Sequence, residues 1–198
     1  MGTIVHGNKS FGYAPIIENN GTYSFGTPVL LPGLVSANIT VEQEDTKVYA
    51  DDITYAVVKG AKVRTAEVHF RKISSEYAEY LGFKKNANGG LSDTGTFPNH
   101  CIFFETEEMD SDNNTTTRTL HLIYSAKGST PTQESTTDEE SVEAGEFTVN
   151  YTCTDSNIAV DDVGNACQYF KITRTAANAT VYDTFDQAVI LPTTAMSV

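Results

Sequence analysis

The chain has 198 residues, enough for one domain with a substantial core and short for two. Apolar residues make up 39% and aromatics 10%, which excludes outright disorder and suggests one core carrying long polar arms and loops. Thirteen basic and 26 acidic residues give a net charge of −13, which excludes binding to nucleic acid through a basic face.

Residues 1–33 are rich in Gly, Asn and Pro, and Gly12, Gly21, Gly26, Pro28, Pro32 and Gly33 interrupt any long element. They predict an extended N-terminal arm. Its Phe11, Tyr13, Tyr23 and Phe25 need a surface, either this domain's own edge or a neighbouring subunit. Residues 34–42 alternate strictly: Val35, Ala37, Ile39 and Val41 on one side, Ser36, Asn38, Thr40 and Glu42 on the other. With residues 53–58 they predict a long hairpin over 34–58. An acidic segment holding Glu42, Glu44, Asp45, Asp51 and Asp52 against Lys47 lies at or near its tip. Residues 61–70 form a further strand whose parity changes, which predicts a bulge near Arg64 and Thr65.

A helix is expected over 74–81. Ser74 is placed to cap it, Glu76 favours its positive start, Tyr77, Tyr80 and Leu81 make an apolar stripe, and Gly82 ends it. Residues 84–99 read as a loop. Residues 100–106 and 117–126 make an antiparallel hairpin about a polar turn, with Leu120, Leu122, Tyr124 and Ala126 facing in. Residues 128–145 are acidic and of low complexity, and cannot pack a core. In residues 146–154, Phe147, Val149, Tyr151 and Cys153 face in, while Thr148, Asn150 and Thr152 face out. A loop over 155–166 leads to a last strand over 167–174. Residues 175–198 form a C-terminal arm holding Tyr182 and Phe185. The expectation is a mainly β fold over 34–174: a sandwich or barrel of two antiparallel sheets, about eight strands, with one flanking helix.

Chemical motifs fail in turn. Asp110-x-Asp112-x-Asn114 opens like a calcium loop, but Thr115 and His121 stand where Gly and Glu are needed. His6, His69, His100 and His121 lack a second ligand at metal-binding spacing, and the acidic clusters lie in polar loops where every carboxylate is ionised. No nucleophile-elbow, zinc-protease or phosphate-loop signature is present. Cys101, Cys153 and Cys167, odd in number, argue against a disulfide framework or a zinc site. The first residues lack an apolar signal region, and no run of 18 apolar residues occurs, so neither a secretory signal nor a transmembrane helix is expected. No catalytic residue, metal or cofactor, and no enzyme activity, is expected.

One family resemblance remains. Leu31-Pro32-Gly33-Leu34-Val35-Ser36 leads into the alternating strand and the acidic stretch. Val48-Tyr49-Ala50-Asp51-Asp52, Tyr55, Lys59-Gly60 and Glu67 follow before the helix, and Gly145-Glu146-Phe147-Thr148-Val149 follows the acidic loop. In order and spacing this resembles the major tail proteins, or tail tube proteins, of siphophages of Gram-positive bacteria, over about residues 31–174. The resemblance implies a fold of two packed antiparallel sheets with a flanking helix, shared with type VI secretion tube proteins. It implies hexameric rings stacked into a hollow tail tube around a tape measure protein, bounded by tail terminator and distal tail proteins, and conducting viral DNA into the host. The place implied is the virion tail, assembled in the host cytoplasm, with no membrane contact. Ser36, Asn38, Thr40, Glu42, Glu44, Asp45, Asp51 and Asp52 are then candidates for the lumen or for contacts between rings. Phe11, Tyr13, Tyr23, Phe25, Tyr182 and Phe185 are candidates for arm contacts between subunits. The alternative is a β-sandwich binding module of adhesin or carbohydrate-binding type, against which stand the missing secretory signal and the absence of Trp.

Overall fold

A computed structural model describes residues 3–50, 53–110, 115–134 and 145–193. Alternation over the acidic region produces an antiparallel hairpin of two long strands, β4 (Leu34–Ala50) and β5 (Ile53–Phe70). β5 pairs on its other side with β11 (Glu146–Cys153), whose far edge meets β10 (Thr132–Glu134) and the end of β9 (Thr115–Gly128). β9 runs along β8 (His100–Asp110), β8 along β1 (Thr3–Asn19), and β1 carries β2 (Thr22–Phe25) and β3 (Val29–Leu31). β14 (Tyr169–Thr173) takes the remaining edge of β9. Two small hairpins, β6 (Phe83–Lys85) with β7 (Leu91–Asp93) and β12 (Ser156–Val160) with β13 (Ala166–Cys167), stand apart.

The fold is mainly β and antiparallel, as expected. The sandwich is built from one sheet rather than two. A single core joins Phe11, Tyr13, Ile102, Phe104 and Ile123 of β1, β8 and β9 to Ala66, Val68, Phe70, Val149 and Tyr151 of β5 and β11. Strands of one sheet share a core across a gap only when the sheet turns over on itself, and here it turns between β9 and β11. A second core covers the opposite face of β1, β8 and β9, where Ala14, Cys101, Phe103, Leu120, Leu122 and Tyr124 lie under Ala159, Tyr182 and Ile190. The central strands are therefore buried on both faces, which explains the unbroken apolar run through residues 101–104.

The helix closes one end of the first core. The Ser74 hydroxyl accepts the Tyr77 N–H at 3.2 Å, α1 (Ser75–Ala78) runs into a 3₁₀ turn (Glu79–Leu81), and Gly82 at φ +93° ends it. Tyr77 and Leu81 enter the core.

Several expectations are corrected. The region expected to be an extended N-terminal arm, covering either this domain's own edge or a neighbouring subunit, forms β1 to β3, with β1 inside the main sheet. Gly12, read as an interruption, is a packing glycine: a Cβ there would collide with the Phe103 ring. One irregularity in β5 lies opposite Val48 and Tyr49; the bulge expected near Arg64 and Thr65, where pairing is regular, sits instead opposite Gln43–Asp45, nearer the hairpin tip. It is held by the Gln43 amide, which donates to the Gly60 carbonyl at 2.7 Å. A register shift between His100 and Ile102 moves Ala126 off the face of Leu120, Leu122 and Tyr124 and into the first core. The presumed C-terminal arm contains α2 (Ala179–Tyr182), packed on the second core.

Candidate functional site

Ala37 and Ile39 pack against the first core, so Ser36, Asn38, Thr40 and Glu42 lie on the outer face of β4. Pairing sets His69, Glu67, Thr65 and Val63 beside them on β5, and Thr148, Asn150 and Thr152 beyond on β11. The result is a three-strand surface of hydroxyls, amides and carboxylates. The His69 ring lies 3.2 Å from Glu67 and 3.4 Å from Glu146, Arg71 lies 3.2 Å from Glu146, and Lys127 of β9 stands opposite Thr152 at the border of the surface. Sequence alternation found the β4 residues. It did not find Thr65, Glu67, Asn150 and Thr152 as their neighbours, because register across strands is set by the bulges. Along its other edge β4 has no partner strand among the described residues.

Beyond Arg64, where β11 ends its pairing, the hairpin continues alone. The acidic segment expected at the tip is strand: Glu44 is in β4, and Asp45 is opposite Lys59. Asp51 and Asp52 lie outside the described residues. This distal half exposes Val48, Tyr49, Ile53, Tyr55, Val57, Val58 and Val63, with Tyr55 75% accessible. A bare two-stranded ribbon with apolar side chains on both faces is poorly stable by itself and calls for a covering surface.

The aromatic arm residues divide. Phe11 and Tyr13 are buried in the first core and Tyr182 in the second, so these three cannot serve as contacts between subunits in this fold. The alternation of Phe11 and Tyr13 with Gly12 and Ala14 marks a core strand, not an arm. Tyr23 is exposed. Phe25 and Phe185 are half-buried against the second core, Phe185 with its ring 5.8 Å from Phe103. The Tyr182 hydroxyl donates to the buried Glu105 carboxylate at 2.8 Å. Arg118 lies 3.3 Å from Glu105 and 3.5 Å from Asp183, and Arg174 grips Asp183 through two hydrogen bonds of 2.8 and 2.6 Å. This charge cluster fastens the C-terminal segment to the sheet.

A cleft of about 380 Å³ opens under the root of the hairpin, walled by Val5, Ala37, Ile39, Val41 and Phe104. Arg64, Lys171 and His121 also line it. The Arg64 guanidinium lies 4.5 Å from the centre of the Tyr169 ring and donates to Gln168 Oε1 at 2.9 Å. His121 is stacked on Phe104 and bonded to Tyr169 and Thr106, and burial, helped by Lys171, pushes its pKa down to about 4. No group of three or more His, Cys, Asp or Glu among the described residues is arranged to hold a metal. No helix among the described residues is long and apolar enough to cross a membrane.

The sequence model of one family, described as phage tail tube protein, matches residues 2–198. No curated protein matches the chain.

Proposed function

The chain belongs to the phage tail tube protein family, and from that premise we propose that it is the repeating subunit of a siphophage tail tube. Family membership makes it a structural component of the viral tail that assembles with itself into a tube. In the proposed arrangement, hexameric rings formed in the host cytoplasm stack around a tape measure protein. A tail terminator and distal tail proteins bound the stack. After the tape measure leaves, the lumen conducts viral DNA into the host.

The observation that carries this reading is the outer face of β4, β5 and β11. Ser36, Asn38, Thr40, Thr65, Glu67, Asn150 and Thr152 form a polar wall that itself holds no lysine or arginine; at its border Arg71 is paired with Glu146, and Lys127 stands opposite Thr152. A conduit for a polyanion needs such a wall, since unpaired cations would hold phosphates through counterion release. The unpartnered edge of β4 supports ring formation, because a long free edge is a template for another chain. An assembly with different surfaces on its two ends propagates as a filament.

Negative-stain imaging of the purified protein tests the proposal. Rings or hollow tubes are expected. A protein that stays monomeric at all concentrations and binds a ligand instead would overturn it.

A further inference from the structure

Four arginines occur in the chain, and three face carboxylates: Arg71 with Glu146, Arg118 with Glu105 and Asp183, and Arg174 with Asp183. Arg64 is the exception. Among the described residues its partners are the neutral Gln168 amide and the Tyr169 ring, and its Nε is buried with no hydrogen-bond partner. In a chain of net charge −13, Arg64 stands out as the arginine with no carboxylate partner among the described residues. A buried N–H without an acceptor is costly, and the Nε side of a guanidinium is one that a carboxylate grips with two parallel bonds. Arg64 also lines the cleft under the hairpin, where the carboxylate already present, Glu108, is taken by Lys171 at 3.1 Å. The cleft therefore suits a carboxylate carried among apolar side chains.

The chain itself carries that combination. The outer face of the hairpin is polar from Ser36 to Thr40, then changes character at the Glu42–Val63 pair. Beyond it, Glu44 lies on the same face as Val48, Val58 and Val63, all three of them exposed valines. Glu44 forms no ion pair among the described residues. This face points away from the subunit's own cleft, which opens on the inner side beside Ala37, Ile39 and Val41. The match can be made only between copies, and because the two surfaces differ, the contact propagates.

We propose that the cleft beneath the hairpin receives the distal hairpin of a second copy, with Glu44 of that copy seated against Arg64. This rests on the tube reading, since it requires copies to associate. It adds the receiving surface and the charge pair that sets register.

The test uses the full chain, with assembly followed by sedimentation velocity and negative stain and folding by circular dichroism. Arg64→Glu is expected to lower the assembled fraction by about tenfold while leaving the monomer folded. Adding Glu44→Arg to it is expected to restore assembly. Val5→Asp, at the exposed mouth of the cleft, should block assembly without touching the core and decides the matter if Arg64→Glu fails to fold. Wild-type protein that never assembles would overturn the tube reading itself. Wild-type tubes together with equally good tubes from Arg64→Glu and Val5→Asp would overturn the cleft alone. A block by Arg64→Glu that Glu44→Arg does not relieve would overturn the proposed pair.

Discussion

The hydrogen bonds around His100 fix the direction of a buried proton chain. Its Nδ1 is 3.0 Å from the Pro98 carbonyl, which can only accept, so Nδ1 carries the proton. Nε2 then accepts from the Tyr77 hydroxyl at 3.2 Å, and Tyr77 accepts from Tyr151 at 2.6 Å. Protonating His100 would force this chain to reverse in the middle of the core. Burial accordingly lowers its pKa from 6.5 to about 4. Between these values the unfolded chain takes up a proton that the folded chain refuses, so stability is full above pH 6.5 and falls as pH drops towards 4. A displacement of this size corresponds to up to ~3 kcal/mol. Thermal melts between pH 7 and pH 4.5 should show Tm falling with acidification, and His100→Gln should melt lower at pH 7 but with a visibly shallower slope. An unchanged slope would show that His100 is not the responsible group.

At the scale of elements, the hairpin has two parts with different work. Its root belongs to the core through Ala37, Ile39, Ala66 and Val68. Its distal half pairs with nothing else in the subunit. Because Glu42 and Val63 are directly opposite, residues 43–62 can be replaced by an Asn-Gly turn that closes the shortened strands. The shortened protein should stay folded, with Tm within about 4 °C of the parent, and should form no tubes in negative stain. Normal tubes would remove the distal hairpin from assembly.

Much of this element level was legible in the sequence. Ser74 and Gly82 bracket the helix because capping is local chemistry, and the alternation of Phe147, Val149, Tyr151 and Cys153 gives β11 its buried face directly. β1 was not legible, because the partner that makes Gly12 a packing residue is Phe103, far away in the chain. The C-terminal segment escaped for a similar reason: what holds Tyr182 is a buried Glu105 and its arginine neighbour, and neither lies near it in sequence. The polar wall was half legible. Parity assigned the β4 residues and turned Asn150 outward, but only the strand register set Glu67 and Asn150 beside them.

For the molecule as a whole, the polar wall makes a claim about electrostatics that a charge change can examine. Asn38 and Glu67 are directly paired on the outer face, and Asn150 is opposite Glu67 on the next strand. Asn38→Lys with Glu67→Lys would put two cations in the middle of that wall, repeated in every subunit. Both positions are on a polar sheet surface outside the core, so tubes should still form. If the face lines the lumen, assembled tubes of this variant should hold short duplex DNA at about 50 mM salt and release it progressively as salt rises, since each phosphate contact releases counterions. The held DNA should also resist nuclease, being enclosed. Val163→Lys is the control, because Val163 is 80% accessible on the turn between β12 and β13, away from the wall. Any DNA it binds should remain open to digestion. Wild-type tubes should hold none under the same conditions. Nuclease-sensitive binding by the Asn38 and Glu67 variant would place this face on the outside of the tube, and the negative wall would then serve solubility instead of passage.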